Sequence, residues 1–202
     1  MRSRRERLPL QIFRPSIIVG ERPTGWTASF NVLYTPLRAF ARGALPALPG
    51  RASSPVDVVP VDYVADGVFE LSNQPVSDHG ETFHLVAGPQ ATTVGRLVEL
   101  SAWHFGRRGP LLIPPAVYRR IVHPLLVRCG EERRRRALRR SEAFFPYMSM
   151  RVRYDNRRAR QRLEPAGIRV TPIERYYQRL IDFAVRAQWG RRPLDRAEVG
   201  AR

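Results

Sequence analysis

The chain has 202 residues, enough for one good-sized domain, and 43% of them are hydrophobic, which argues against a disordered protein. Its single cysteine, Cys129, excludes an intrachain disulfide and a multi-cysteine metal site, so we expect a protein of the reducing cytoplasm. All 35 basic residues are arginines, and residues 101–202 hold 25 of them against 9 acidic residues, so this half should attract anionic partners at low salt.

The first clear pattern along the chain is a continuous apolar run over Leu10–Val19, which predicts a buried strand ending at Gly20. The next residues, Arg22–Gly25, have turn chemistry. Apolar residues at helical spacing follow over Trp26–Arg42, and Pro36 is expected to kink or break that helix.

Two more strands are predicted within the first hundred residues, each followed by a helical pattern. Val56–Val61 is a short apolar strand, and Thr82–Gly88 has the composition of a core strand. This alternation of strands and helices predicts an α/β fold. From about residue 110 onward the pattern is helical.

Several residues have the chemistry of helix ends. Asp62 is the predicted N-cap of the helix after Val56–Val61, and Thr92 or Thr93 can cap the next helix, which Gly106 should end. The strongest start signal is Thr171–Glu174, which combines a capping box with proline at the first helical position.

An ordered set of segments resembles a known family. Leu10–Gly20 with its Arg-Pro pair, followed by Val56–Gly67, resembles the second half of extended short-chain dehydrogenases/reductases, especially the fatty acyl-CoA and carrier-bound thioester reductases. Phe144–Asp155, and Pro165–Ile168 leading into Tyr176–Tyr177, are similar to the C-terminal extension of certain bacterial members. The resemblance implies a partial Rossmann-type α/β fold with a helical C-terminal extension. It also implies NAD(P)H-dependent reduction of an acyl thioester to an aldehyde or alcohol.

The same resemblance implies roles for individual residues. The coenzyme-side positions would be Pro15, Ser16, Ile17 and Ile18. The substrate-side positions would include Thr24, Trp26 and Phe30. Taken by itself, the segment around Pro15 is more typical of an ordinary core strand, so its assignment depends on the other matching segments.

Two features that such reductases need are absent from the sequence. There is no glycine-rich turn to hold the coenzyme phosphates, and a Tyr-x-x-x-Lys pair is impossible because the chain contains no lysine. Tyr34 and Arg38 have the spacing of that pair, but Pro36 is expected to interrupt their helix. We therefore predict no catalytic residue, no tight NAD(P)H binding by this chain alone, and no activity in isolation.

The charged and metal-ligating residues give weaker signals. The four histidines are scattered, and the sequence contains no spacing typical of a metal site. The run Arg133–Arg140 lacks interleaved aromatic residues, so nucleic-acid binding is not expected. A solvated helix face paired with nearby glutamates explains the run most simply. Recognition of coenzyme A phosphates or of an acidic carrier protein is the alternative that the resemblance adds.

The predicted organisation has three parts: residues 8–108 as the C-terminal part of a reductase domain, 109–190 as a basic helical region, and 191–202 as a disordered tail. A nucleotide-binding half is expected to be encoded upstream.

No membrane-spanning segment is predicted, because prolines and arginines interrupt the most apolar stretch. Two other classes stay open: part of an NAD-dependent epimerase or dehydratase, and a non-catalytic module that binds anions or acidic proteins.

Overall fold

The computed structural model describes residues 10–30, 32–75, 80–129, 132 and 152–200. The strands are β1 Gln11–Pro15, β2 Ile17–Val19, β3 Ala47–Pro49, β4 Pro55–Val56, β5 Val58–Pro60, β6 Glu81–Leu85, β7 Thr92–Thr93 and β8 Leu111–Ile113. The α-helices are α1 Tyr34–Ala41, α2 Val61–Ser72, α3 Val94–Phe105, α4 Pro115–Val117, α5 His123–Cys129, α6 Arg157–Leu163, α7 Tyr177–Arg186 and α8 Arg196–Gly200, and a π-helical turn, Tyr118–Val122, lies between α4 and α5.

The chain forms two compact units, and each is discontinuous in sequence. The first contains the described residues of Met1–Arg38, Asp57–Thr92 and Arg153–Arg202. The second contains those of Ala39–Val56 and Thr93–Val152. This division differs from the predicted boundary at residues 108/109, because the chain leaves the first unit and returns to it twice.

Parallel strand pairing organises the first unit. The strand β1 pairs with β6, with Gln11 opposite Glu81, and β2 pairs with β5, with Ile17 opposite Val58. The predicted single strand over Leu10–Val19 is therefore divided at its middle, because its two halves take different partners. Parallel pairing joined by helices confirms the predicted α/β, Rossmann-type class.

The core of the first unit lies where α2 and α6 cover β5 and β6. Its largest fully buried members are Tyr63, Leu71, Phe83, Leu85 and Leu163. The two helices approach closely at a glycine of α2. An added Cβ on Gly67 would lie 3.3 Å from both Leu163 Cδ1 and Leu85 Cδ2, so a side chain there would force these leucines apart.

The C-terminal segment packs onto this unit. Residues 191–202 were predicted to be disordered, but the structure places α8 within them and buries Val199 to 6% exposure. Val199 clusters with Phe183 and Ala187 of the preceding helical segment, and Leu194 packs against the same cluster. Two apolar residues in a short polar tail gave too weak a signal to predict this packing.

The second unit is built around one parallel pair and α3. Ala47 lies opposite Leu111 in the pairing of β3 with β8. Thr93 caps α3 by accepting a hydrogen bond from the Arg96 N–H at 3.2 Å, and Gly106 ends it in the left-handed conformation at φ 59°. Both features confirm the sequence prediction, since each depends on a partner within one helical turn.

Candidate substrate-side site

The predicted coenzyme-side residues lie where the first strand changes partner. Pro15 pairs with Leu85 at the end of the first parallel pair. Ser16 donates its N–H to the Leu85 carbonyl at 3.3 Å, and Ile17 donates its N–H to the Asp57 carbonyl, also at 3.3 Å. The Ser16 Oγ is buried, and no hydrogen-bond partner for it exists among the described residues. A polar group placed against this bend would satisfy that hydroxyl.

A tight loop follows β2, and the predicted substrate-side Thr24 belongs to it. The Glu21 N–H donates to the Trp26 carbonyl at 3.0 Å, and the Gly25 N–H donates to the Glu21 carbonyl at 2.9 Å. Gly25 has φ +75°, and an added Cβ would lie 2.2 Å from the Arg179 carbonyl oxygen, so only glycine fits. The Thr24 hydroxyl donates to Glu21 Oε1 and accepts the Trp26 N–H at 3.1 Å. Thr24 thus holds the loop together.

The loop is tied to the C-terminal segment by two contacts. The Glu21 carboxylate, whose side chain is only 5% exposed, lies 2.7 Å from the Arg196 guanidinium. The indole N–H of Trp26 donates to the Leu194 carbonyl at 3.0 Å. The Arg196 guanidinium also lies 6.0 Å from the centre of the Trp26 ring. Because an unpaired buried carboxylate is costly, Arg196 is needed to keep Glu21 buried.

A cavity of about 410 Å³ opens between this loop and the C-terminal segment. We call it the aromatic pocket, because the large side chains that line it are Trp26, Phe30, Phe183 and Trp189. Phe30 stacks on Phe183 with ring centres 6.1 Å apart and an interplanar angle of 3°. Two of the three predicted substrate-side residues, Trp26 and Phe30, therefore line one cavity, while Thr24 lies outside its lining. Its volume is within the usual range for small-molecule sites.

The far wall of the aromatic pocket is a strained turn. Gln188, Trp189 and Gly190 all have positive φ, at 50°, 59° and 86°. For the two non-glycine residues this costs about 1–3 kcal/mol each. The turn is held by the Ala187 carbonyl, which accepts the N–H of Gly190 at 3.0 Å and that of Arg192 at 3.1 Å. Such strain concentrates at binding sites, since the surrounding contacts must enforce it.

Tyr34 and Arg38 share one helix, so the prediction that Pro36 would interrupt it is wrong. The helix begins at Tyr34, and Pro36 lies in the first turn, where no backbone N–H is required. The Tyr34 side chain is buried, and its hydroxyl accepts the Gly20 N–H at 3.1 Å. Burial raises the pKa of Tyr34 to about 12. This shift is opposite to the one that a proton-donating tyrosine needs.

Arg22 connects three parts of the first unit, which the sequence analysis did not anticipate. Its guanidinium pairs with the Asp62 carboxylate and donates to Thr171 Oγ1 at 3.3 Å. Its carbonyl accepts a hydrogen bond from Arg179 at 3.1 Å. The prediction that Asp62 caps its helix is therefore wrong: the N-cap position is Pro60, and the Asp62 carboxylate is occupied by Arg22.

A buried polar cluster fixes the chain after β6. The Asp57 carboxylate is 8% exposed as a residue and accepts the N–H groups of Ala87 at 2.7 Å and Gly88 at 2.9 Å. Asn156 donates from Nδ2 to the Val86 carbonyl at 3.0 Å. An added Cβ on Gly88 would lie 2.8 Å from Asn156 Cγ. Asp57, from the family-like segment Val56–Gly67, and Asn156, which directly follows the segment Phe144–Asp155, thus have structural roles here.

One further buried hydroxyl was also not anticipated. Tyr176 is 1% exposed, and its hydroxyl oxygen has no hydrogen-bond partner within the described part of the chain. Burial raises the pKa of Tyr176 well above its usual value, and the nearby Asp62 charge adds to the shift. The group therefore stays protonated across the physiological range. Two tyrosines in a row before a helix are equally typical of ordinary core packing, so the sequence does not predict this buried hydroxyl.

Other predicted features are not part of this site. Across the described ranges, no group of three or more histidine, cysteine, aspartate and glutamate side chains is placed to hold a metal ion. The same residues contain no helix with the length and apolarity required to span a bilayer. The run Arg133–Arg140, most of Phe144–Asp155 and the Cys129 side chain lie outside the described residues.

Comparison with known proteins shows which sequences this chain resembles. Residues 1–68 match the model of an NAD-binding family described as "Male sterility protein". Over 114 residues the chain is 28% identical to fatty acyl-CoA reductase 1 of Arabidopsis thaliana, a match that covers 54% of this chain and 23% of that protein. These matches confirm the resemblance predicted from the ordered segments.

Solved structures share the fold. The terminal R domain of the myxalamid PKS-NRPS pathway superimposes with a TM-score of 0.65 at 19% identity, over 91% of this chain and 45% of that one. A thiolation-reductase di-domain from an archaeal non-ribosomal peptide synthetase gives a TM-score of 0.61 at 18% identity, over 90% of this chain and 37% of that one. This chain therefore spans less than half the length of each of these relatives.

Proposed function

Because this chain is a relative of the fatty acyl-CoA reductases and shares its fold with carrier-linked reductase domains, we propose that it is the substrate-side part of an NAD(P)H-dependent acyl-thioester reductase. The observation that carries the proposal is the aromatic pocket. It places two residues implied to be substrate-side, Trp26 and Phe30, in one cavity next to the loop that follows the Arg-Pro strand. The aromatic rings in this mixed lining offer apolar surface to an acyl group.

The coenzyme would contact this chain at its nicotinamide end. The bend at Pro15–Ile18 offers the buried, unpartnered Ser16 Oγ, which fits a polar group such as a carboxamide. The sequence has no glycine-rich turn for the phosphates, so most of the coenzyme's binding energy would come from elsewhere. When bound, the coenzyme would supply the hydride that reduces the thioester carbonyl to an aldehyde as the thiol departs.

The exposed edge of β1 supports a partner for this half. Among the described residues β1 pairs only with β6, and its apolar side chains Ile12 and Phe13 are only partly buried. Parallel sheets normally have several strands and are covered on both faces. We propose that further parallel strands of a nucleotide-binding half pair along this edge and cover these side chains.

The chain's own residues would bind and orient the substrate without transferring its proton. The chain has no lysine, and the buried Tyr34 has a raised pKa, so neither member of the usual acid–base pair is available. The proton donor would therefore belong to the nucleotide-binding half. This division predicts that the isolated chain binds acyl thioesters but does not reduce them.

A two-part experiment tests the proposal. NADPH and dodecanoyl-CoA are titrated separately into the purified chain by calorimetry, and NADPH oxidation is followed after adding the nucleotide-binding half of a related reductase. We expect weak coenzyme binding, measurable acyl-CoA binding and oxidation only in the mixture. A low-micromolar Kd for NADPH with the chain alone would refute the division of roles. Binding of UDP-glucose in preference to dodecanoyl-CoA would support the epimerase alternative instead.

A further inference from the structure

We propose that the aromatic pocket binds an amphipathic anion, with the apolar body against Trp26 and Phe30 and the anionic group, a phosphate or a carboxylate, on Arg192. The inference rests on the proposed function and narrows its substrate class. It assigns an anchoring role to a residue that the family resemblance did not single out.

The first argument concerns the charge of the residues that line the pocket. Arg192 is the charged side chain among the described residues that line the pocket, and none of its lining residues is acidic. Arg192 is exposed, and the described part of the chain gives it no ion pair. Another arginine of this segment, Arg196, is already engaged by the buried Glu21 carboxylate. The Arg192 guanidinium is thus free to bind an anion, and its planar donors suit phosphate and carboxylate oxygens.

A backbone hydrogen bond fixes the position of Arg192 in the chain turn. The Arg192 N–H donates to the Ala187 carbonyl, the same oxygen that holds the strained turn containing Trp189. The arginine and the indole are therefore positioned by one structural feature on one wall of the cavity. On the opposite wall, Phe30 approaches Gly190 so closely that an added Cβ would lie 2.8 Å from its Cδ2. Glycine at this point keeps the two walls close without a clash.

The chemistry of the ligand follows from this arrangement. Four aromatic side chains in the lining favour an acyl or aryl body, because such groups bury apolar area against aromatic surface. A single arginine on the same wall favours a ligand with one anionic group near that body. The carboxylate of a free fatty acid has this character directly. A phosphate of a coenzyme A or carrier thioester has it when the adjoining pantetheine arm, and not the acyl chain, lies against the rings.

Direct binding to the full chain tests the proposal without coenzyme or turnover. Dodecanoyl-CoA, dodecanoate and coenzyme A are titrated by calorimetry into the wild type, Arg192→Gln and the matched control Arg191→Gln, which removes the adjacent exposed arginine outside the lining. We expect Arg192→Gln to weaken binding of the amphipathic ligand by about tenfold or more, and Arg191→Gln to change it by less than about twofold. Circular dichroism checks that each variant folds.

A second variant tests the apolar side independently. Ala28 is an exposed lining residue, so Ala28→Phe fills the cavity without disturbing the core. We expect Ala28→Phe to weaken binding of the same amphipathic ligand although Arg192 is intact. An Arg192-dependent dodecanoyl-CoA affinity without dodecanoate binding identifies a phosphate as the anion, and Arg192-dependent dodecanoate binding identifies a carboxylate. The proposal would be overturned if Arg192→Gln and Arg191→Gln bound dodecanoyl-CoA and dodecanoate with equal affinity. It would also be overturned if Ala28→Phe left these affinities unchanged. Neither result would affect the coenzyme and turnover test of the proposed function.

Discussion

Replacing Asp57 tests whether a residue of the family-like segment Val56–Gly67 is structural. Its buried carboxylate accepts two backbone N–H groups, from Ala87 and Gly88. Asp57→Ala leaves both donors buried and unsatisfied, at about 1–3 kcal/mol each, so the free energy of unfolding should fall by about 2–6 kcal/mol. Asp57→Asn keeps one acceptor oxygen but turns an NH2 group toward the second donor, and about half of that loss is expected.

The measurement is urea unfolding followed by tryptophan fluorescence, with the midpoint and slope compared among variants. Asp66→Asn is the matched control, because Asp66 has 56% of its side chain exposed and lies 3.8 Å from Arg22. It should change the unfolding free energy by less than about 1 kcal/mol. If Asp57→Asn proves no more destabilising than Asp66→Asn, the two backbone bonds do not hold the chain after β6.

Four further predictions follow from single contacts. Glu21→Gln removes the charge that pairs with Arg196, so limited proteolysis should cut the C-terminal segment faster than in the wild type, and an unchanged rate would contradict the tie. Gly190→Ala places a Cβ 2.8 Å from the Phe30 ring, so it should lower the unfolding midpoint, whereas an unaltered midpoint would show that the ring shifts freely. The pKa of Tyr34 is raised from 10.0 to about 12, so its contribution to stability is complete below pH 10 and is lost as pH rises toward 12; relative to Tyr34→Phe, the wild type should lose stability only in that window. Thr93→Ala should cost about 1 kcal/mol in unfolding free energy, and no change would mean that the cap of α3 is dispensable.

Features that depend on near neighbours were predictable from the sequence. Thr93 and Gly106 begin and end α3 as expected, because a cap and a left-handed C-terminus need only partners within one turn. The α/β class was predictable for a similar reason, since strand and helix periodicities are local. The order of the Arg-Pro strand and Val56–Gly67 along the chain was enough to identify the family that the chain resembles.

Features that depend on distant partners were decided by the tertiary structure. Thr171 and Glu174 have the spacing of a capping box, yet Thr171 accepts from Arg22 and Glu174 accepts the Thr92 hydroxyl at 2.6 Å. The Asp62 carboxylate likewise pairs with Arg22 and does not cap its helix. A side-chain oxygen satisfies the nearest donor in space, and sequence spacing shows only the donors within a few residues.

The aromatic pocket shows the same division at the level of the site. Resemblance identified Trp26 and Phe30 as substrate-side, but the opposite wall, with Trp189 and Arg192, is more than 150 residues away in the sequence. The sequence by itself determined which residue types were available: aromatic rings, arginines and no lysine. Only the packing of the C-terminal segment against the loop placed one arginine beside those rings, because a cavity is a property of surfaces brought together and has no local pattern.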